Sequence, residues 1–205
     1  AYNKIKNAII TYELPPETIL VERTLSEQLG ISRTPIREAL KQLEVEGYVS
    51  NLPGKGFFVS KLYYEDFIEY FEIKESLESM AAKLCCIRKT KEIIEDLENC
   101  FYAHKEAVES KEYDVAHELD IGFHLVYIKG SQNQRLENAM KSVNDITRRV
   151  LYSGQYPHSR YDTLVIHHEK ILNAIKSDDP ESARIAAANH IEDVKNYWKN
   201  EIFHR

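Results

Sequence analysis

An aspartate and a histidine spaced four apart are the first residues in this sequence that could do chemistry. They are Asp120 and His124, in the apolar run LDIGFHLVYI at residues 119–128. Residues four apart lie on one face of an α-helix, so both side chains would point toward whatever the run buries. Buried charges need partners, and a metal ion would be one such partner. A buried histidine is more often a core residue satisfied by hydrogen bonds, so this run alone does not establish a metal site.

Two later helical segments also place a histidine on an apolar face. His168 shares its face with Leu164, and His190 shares its face with Ala187. One carboxylate and three neutral imidazoles form a ligand set that suits Zn, Ni, Mn or Fe. The spacing does not show that the helices converge, so separate core histidines remain the alternative interpretation. We assign the remaining histidines, apart from His167, to the surface: His104, His117, His158 and His204.

The elements that must position these residues change character near residue 60. Short helical patterns and a β-hairpin signal, NLPGKGFFVSKL, come before that point, and almost continuous helical periodicity follows it. The periodicity predicts helices at 65–87, 90–109, 112–129, 133–153, 160–177 and 181–203. We therefore expect a mainly α protein in which an α/β winged helix-turn-helix domain, residues 1–62, precedes an all-α antiparallel helical bundle, residues 63–205.

The first domain carries the sequence signals of a helix-turn-helix. Thr24 is predicted to cap one helix, which Gly30 ends with a left-handed backbone conformation. After a short turn, Thr34 is predicted to cap the next helix, with Pro35 in its first turn. Two helices joined by a tight turn and followed by a hairpin are typical of a winged DNA-binding domain.

Arginine positions in this domain predict the chemistry of DNA contact. Arg33 and Arg37 occupy the outward side of the second helix near its start, and Arg23 lies near the start of the preceding helix. A recognition helix reads base edges with its N-terminal residues, and the guanidinium fork matches the O6/N7 pair of guanine. The hairpin tip, residues 54–56, adds one lysine between two glycines, which suits phosphate contact. Solvated surface charge remains the alternative for any single arginine.

Residues 4–60 resemble the DNA-binding domain of the GntR superfamily of bacterial transcription regulators. The motif SRTPIREAL followed by LE-x-EG carries the resemblance. Glu17 departs from the pattern, because the family usually has glycine after the proline. The resemblance implies that seven residues contact operator DNA: Arg23, Arg33, Thr34, Arg37, Gly54, Lys55 and Gly56.

Residues 65–200 resemble the FCD-type effector domain of the FadR branch of that superfamily. The motifs are FEIKESLESMAAKL, DIGFH followed by GSQNQRL, HEKILNAIKSDDPESA and the late NHI. Many such domains hold a divalent ion with one aspartate and three histidines, which implies the ligands Asp120, His124, His168 and His190. His167 is adjacent, but the HEKIL context favours His168 as the ligand.

Four protein ligands leave open positions on an octahedral ion, and a small carboxylate metabolite could occupy them. Arg148 and Arg149 are candidates to pair with its carboxylate, although they could equally be surface charges. Lys74 is a further candidate and stands where the family usually has arginine. Because lysine offers a point charge rather than a fork, effector contacts at this position would differ from the usual pattern.

Charge and composition narrow the classes of protein further. The net charge is −6, but residues 1–62 carry eight Lys/Arg against seven Asp/Glu, and the remainder carries 19 against 26. We find no apolar stretch of about 18 residues that could span a membrane and no signal-peptide pattern. Three cysteines without paired spacing predict reduced core thiols and a cytoplasmic protein.

These observations predict a ligand-responsive transcription repressor that contains a divalent metal ion. Its partners would be pseudo-palindromic double-stranded operator DNA, a small carboxylate effector and a second copy of the chain, because two half-sites need two recognition helices. One alternative is a DNA-binding regulator whose metal is purely structural. The other is a metalloenzyme, although a motif such as HExxH is absent from the sequence.

Overall fold

Nine α-helices and one small sheet make up the part of the chain described by the computed structural model, residues 1–153 and 157–202. This part divides into two units. The first contains residues 1–63 and 146–153, and the second contains the rest. Residues 146–153, which the sequence pattern assigns to the helical domain, group with the first unit. None of the helices in the described residues is long and apolar enough to cross a membrane.

The first unit has the predicted winged helix-turn-helix order. Its elements are α1 (Tyr2–Ile10), β1 (Ile19–Leu20), α2 (Glu22–Leu29), α3 (Arg33–Val45), β2 (Val49–Leu52) and β3 (Gly56–Val59). The strands form an antiparallel sheet in the order β1-β3-β2, with Val49 opposite Val59. Ile5, Ile36 and Leu40 are buried between the helices and fix α3 by its inner face. The outer face of α3 is thereby left to solvent.

Two helices start at residues that differ from the prediction. α2 begins at Glu22 rather than near Thr24, and a carboxylate in the first turn is stabilised by the helix dipole. α3 begins at Arg33 because Ser32, rather than Thr34, has the extended backbone of an N-cap. Neither helix has a side-chain hydrogen bond from its N-cap residue. The two predicted threonine caps are therefore wrong.

Two residues flanking α2 and β1 have left-handed backbone conformations. Gly30 ends α2 with φ +65°, as predicted. Glu17 has φ +69°, in the region that L side chains rarely adopt. Its N–H donates a 2.9 Å hydrogen bond to the carbonyl oxygen of Val59, which ties the turn before β1 to the sheet. Glycine adopts this conformation without that steric cost, so it would be more favourable than glutamate at position 17.

The second unit contains the six predicted helices, each within a few residues of its expected bounds. They are α4 (Tyr64–Arg88), α5 (Lys91–Glu109), α6 (Tyr113–Gly130), α7 (Gln134–Tyr152, shared between the units), α8 (Tyr161–Lys176) and α9 (Pro180–Tyr197). Asp179 caps α9 by accepting a 3.0 Å hydrogen bond from the N–H of Ser182, and Pro180 is the first helical residue. A π-helical turn, Trp198–Ile202, continues α9.

Packing of these helices brings α4, α6, α8 and α9 around one core. α4 packs against α9 and α6, and α8 packs against α9 and α5. Gly130 allows α6 to approach α4 closely, because a Cβ there would lie 2.7 Å from the sulfur of Cys85. Cys85 and Cys86 are buried thiols, as predicted, and burial raises the pKa of Cys85 to about 12.

Candidate functional site

Four polar side chains converge inside the helical unit. α6 supplies Asp120 and His124, α8 supplies His168, α9 supplies His190, and all four are buried. The Nε2 atom of His124 lies 3.2 Å from Nε2 of His168 and 3.1 Å from Nε2 of His190. Oδ1 of Asp120 lies 3.4 Å from Nε2 of His168. The structure thus brings together the four residues that the sequence resemblance names as ligands.

Hydrogen bonds behind His124 determine which of its ring nitrogens faces this cluster. Its Nδ1 atom lies 2.6 Å from Oε2 of Glu78 and 2.7 Å from the hydroxyl of Tyr127, which itself donates to Glu78. A carboxylate accepts, so Nδ1 carries the proton and Nε2 presents its lone pair to the other histidines. This is the carboxylate–histidine arrangement that orients metal-ligating imidazoles in proteins.

The polar atoms of the cluster are not satisfied by hydrogen bonds within the described residues. A single Nε2 lone pair on His124 cannot accept from two neighbouring imidazoles at once. Oδ1 of Asp120 and the Nδ1 atoms of His168 and His190 are also buried, and none of them has a hydrogen-bond partner in the part of the chain that the structure describes. Buried polar groups of native proteins normally have partners, so this constellation indicates a missing one.

The chemistry and spacing of the donor atoms fit a divalent cation. Burial, reinforced by neighbouring histidines, holds the pKa values of His168 and His190 well below their ordinary range, so both stay neutral and able to ligate. With metal–nitrogen bonds of about 2.0–2.1 Å, neighbouring ligand atoms lie about 3.0 Å apart at right angles and about 3.4 Å apart in a tetrahedron. The separations given above fall in this range. The three histidines therefore form a group that could hold a metal ion.

Glu78, which the sequence pattern did not identify as a site residue, forms a buried pair with Lys74. Lys74 donates to Glu78, and both are almost completely buried on α4. Burial opposes the charged form of Glu78, but the attraction of His124 and Lys74 outweighs it and holds the carboxyl pKa well below its ordinary value. Lys74, predicted to contact an effector, instead neutralises the carboxylate behind His124. Buried residues recur every seven positions along α4, in the two series Phe67, Lys74, Ala81 and Phe71, Glu78, Cys85. This spacing could have indicated that Lys74 and Glu78 are buried.

Two histidines predicted to lie on the surface are buried. His104 on α5 is fully inaccessible, and His117 on α6 contacts the hydroxyl of Tyr161 at 3.5 Å. His104 lies on the helix face that also buries Leu97 and Phe101, so its spacing from them could have indicated burial. Both surface assignments are therefore wrong.

Of the other three histidines, the two that the structure describes do not belong to the cluster. His158 is exposed and stacks on Tyr113, as expected for a surface residue. His167 is half-buried, with its ring centroid 5.6 Å from that of His190, and it belongs to neither group of candidate ligands. His204 lies outside the described residues.

The two arginines proposed as effector ligands belong to the first unit. The guanidinium of Arg149 is buried and donates to the carbonyl oxygen of Ser60. The guanidinium of Arg148 lies 5.7 Å from the ring centroid of Tyr152. These contacts give both side chains a role within the first unit and lend no support to their assignment as effector ligands.

The residues predicted to contact DNA are all exposed in the first unit. Arg33, Thr34 and Arg37 lie on the solvent side of α3, in its first turn and a half. Nε and Nη2 of Arg37 donate to Oε1 and Oε2 of Glu22, at 2.7 Å each, and this contact lowers the carboxyl pKa of Glu22. Arg23 pairs with Glu27 at 2.9 Å. Such exposed pairs are weak, so a phosphate or a base edge could replace either carboxylate.

The hairpin tip also has the predicted character. Gly54 and Gly56 have φ values of +76° and +86°, which only glycine adopts readily. Between them, Lys55 donates its N–H to the carbonyl oxygen of Leu52 at 2.9 Å and is exposed. The turn therefore presents one positive charge with no bulky neighbour at the tip.

Comparisons with known proteins match both units. Residues 1–59 match the family described as bacterial regulatory proteins, gntR family, and residues 69–193 match the FCD domain. The uncharacterized HTH-type transcriptional regulator YdhC of Bacillus subtilis is 29% identical over 92% of this chain and 86% of its own. The HTH-type transcriptional repressor RspR of Escherichia coli is 24% identical over 94% and 85%. The solved structure of E. coli McbR/YncC shares the fold, with a TM-score of 0.79, 23% identity, and coverage of 97% of this chain and 96% of its own.

Proposed function

Since the chain belongs to the GntR family of bacterial regulatory proteins and carries an FCD domain, we propose that it is a transcription repressor controlled by a divalent metal ion and a small carboxylate metabolite. Family membership makes it a DNA-binding regulator rather than an enzyme. The assignment as a repressor is supported by its similarity to RspR, which is named as one. The observation that carries the metal and effector part is the convergence of Asp120 with the Nε2 atoms of three imidazoles, whose contacts with one another cannot all be satisfied by hydrogen bonds among the described residues.

DNA recognition is assigned to the exposed start of α3 and to the hairpin tip. Arg33 and Arg37 supply the guanidinium forks that pair with guanine or phosphate, and Thr34 lies between them in sequence. Lys55 supplies a backbone contact from the wing. One recognition helix per chain reads one half-site, so the active form is a homodimer on a pseudo-palindromic duplex. A protein with this partner works in the cytoplasm, where bacterial operators are found.

The ligands of the proposed ion are Asp120, His124, His168 and His190. Glu78 keeps His124 in the tautomer that presents Nε2, and Lys74 neutralises the charge of Glu78. When bound, the ion supplies Lewis-acid positions at which a carboxylate oxygen can bind. The four residues are buried, and electrostatic attraction is stronger in such surroundings than in bulk water.

An effector can change the affinity for DNA only to the extent that it binds two conformational states of the protein with different affinities. Coupling free energies of this kind are typically about 1–3 kcal/mol, which corresponds to about 5–150-fold in operator affinity. We expect a carboxylate ligand at the ion to change operator affinity within this range. The same coupling requires that operator DNA change the affinity for the carboxylate by the same factor.

Duplex DNA recovered by selection from a random pool provides the probe for the DNA-binding assignment. We expect Arg33→Ala to weaken binding of the selected duplex by about 5–150-fold, the value of a bidentate base contact. Arg184→Ala serves as the matched control, because Arg184 is partly exposed on α9 and pairs with Glu181 of the same helix. Wild-type affinity of both Arg33→Ala and Arg37→Ala for this duplex would refute the assignment.

Metal removal separates the sensing role from a structural one. The selected duplex is titrated with wild-type protein after chelation, after metal is restored, and after acetate or lactate is added. Sensing requires that a carboxylate shift the affinity in the metal-loaded protein and not in the metal-free protein. If chelation unfolds the helical unit and neither carboxylate shifts the affinity, the metal is structural and the sensing role is refuted.

A further inference from the structure

His104 on α5 is a buried histidine that the four-ligand site does not use. Its side chain is fully inaccessible to solvent, and neither ring nitrogen has a hydrogen-bond partner among the described residues. A buried imidazole with both nitrogens unsatisfied is unfavourable, so a partner for at least one nitrogen is to be expected.

The neighbours of His104 are two members of the proposed metal site. Ligand atoms of His104, Asp120 and His168 all lie within 4.8 Å of one another. The ring centroids of His104 and His168 are 5.1 Å apart. The ring centroids of His124 and His168 are also 5.1 Å apart. The centroid of His190 lies 4.9 Å from that of His124 and 4.9 Å from that of His168. By this measure His104 lies as near to His168 as the proposed ligands lie to one another.

His168 is the member that the two groups of candidate ligands share. Oδ1 of Asp120 has no hydrogen-bond partner among the residues that the structure describes, and it lies 3.4 Å from Nε2 of His168, the atom that also approaches His124. A cation bound at Oδ1 and at that nitrogen would therefore be shared by both groups. One ion can satisfy an unpartnered oxygen and an unpartnered imidazole together.

We propose that His104 is a fifth protein ligand of the ion assigned to Asp120, His124, His168 and His190, an inference that rests on the proposed function. Four imidazole nitrogens and one carboxylate oxygen favour a borderline ion such as Ni or Zn over Mg or Ca. Five protein ligands leave one open position on an octahedral ion. An effector would then bind through a single oxygen rather than chelate the ion.

His104→Leu tests this role by removing the nitrogen donors while filling most of the space. In the metal-free protein the variant should melt at the wild-type temperature or higher, because it removes an unsatisfied buried group. Its affinity for Ni or Zn should be measured by competition with a chelator. We expect a fall of at least about 10–100-fold, the loss that removal of an outer-shell partner typically causes. A purely structural role for His104 predicts the opposite pattern, with a lower melting temperature and unchanged affinity. His167→Gln is the matched control and should retain wild-type affinity.

Cobalt substitution reports on the number of ligands independently of affinity. The visible absorption of protein-bound Co(II) strengthens as its coordination number falls, so wild type should give a weak spectrum. His104→Leu should open a position, and the affinity for lactate relative to acetate should rise, because lactate can then chelate. One ion per chain is expected in both proteins.

Two results would overturn the inference while leaving the proposed function intact. In one, wild type binds metal and His104→Leu keeps the same affinity and cobalt spectrum. In the other, wild type binds two ions per chain and the variant binds one, which would make His104 part of a separate site. A wild-type protein that binds no metal would overturn the proposed function itself.

Discussion

Glu78 contributes both to the stability of the helical unit and to the orientation of a proposed metal ligand, so its replacement by glutamine should affect both. The residue is completely buried and accepts hydrogen bonds from Lys74, Tyr127 and Nδ1 of His124, the last at 2.6 Å. Glu78→Gln preserves the shape but leaves the buried ammonium of Lys74 without a counter-charge. Removing one partner of a buried ion pair typically costs about 3–5 kcal/mol. We expect a loss of this size in the free energy of unfolding of the metal-free protein, measured by urea denaturation.

The same substitution should weaken metal binding for a separate reason. Without the carboxylate, His124 is less firmly held with its proton on Nδ1, and Nε2 is less available as a ligand. Loss of such an outer-shell partner typically lowers metal affinity about 10–100-fold. Competition with a chelator, under conditions in which the variant remains folded, measures this effect.

The double substitution Lys74→Met/Glu78→Gln distinguishes the two effects. Removing both charges of a buried pair is often close to neutral for stability, so the double variant should recover most of the lost free energy. It should not recover metal affinity, because His124 still lacks its carboxylate partner. The reasoning is refuted if the double variant is as unstable as Glu78→Gln, or if Glu78→Gln binds metal as tightly as wild type.

Three further predictions concern stability. Burial and neighbouring histidines hold the pKa values of His168 and His190 well below the ordinary 6.5, so the unfolded chain takes up protons first as the pH falls. The metal-free protein should keep its full stability above about pH 6.5 and lose it progressively below that value, and a urea midpoint that does not change with pH would contradict this. Gly130→Ala should cost about 1–3 kcal/mol because its Cβ would lie 2.7 Å from a thiol sulfur, whereas Gly122→Ala, with its nearest neighbour at 3.8 Å, should be neutral or slightly stabilising. Equal melting temperatures of these two variants would show that the approach of α6 to α4 is not tight. Glu17→Gly should be more stable than Glu17→Ala by about 1 kcal/mol, since only glycine adopts the φ of +69° without steric cost, and thermal melts of the two variants compare them directly.

Helical periodicity was sufficient to predict the helices of the second unit, because their buried faces follow the helical repeat. α6 illustrates this, since Ala116, Asp120, Phe123 and Tyr127 all lie on its buried face. The same periodicity could have identified Glu78 and His104, which occupy buried positions on α4 and α5. Both were missed because charged and polar side chains are usually exposed, and that tendency was given more weight than their spacing.

The convergence of His124, His168 and His190 could not be predicted from periodicity. Each helix face is determined by local spacing, but the 3.1–3.2 Å separations between their Nε2 atoms depend on how α6, α8 and α9 pack. Local spacing contains no information about packing between helices distant in sequence. Only the resemblance to the FCD domain grouped these residues before the structure did.

The polar residues of the helical unit form a layered arrangement that links metal binding to the integrity of the bundle. Lys74 neutralises Glu78, Glu78 orients His124, and Nε2 of His124 meets the other imidazoles, so α4 is connected to α8 and α9 through α6. In such a network each group depends on its neighbours for its charge or tautomer, and one unsatisfied member weakens the rest. An ion at the centre would satisfy Asp120 and the imidazoles together. A ligand that changes the bonding of that ion would therefore act on four helices at once, which is how a small carboxylate could shift the balance between two states of a regulator.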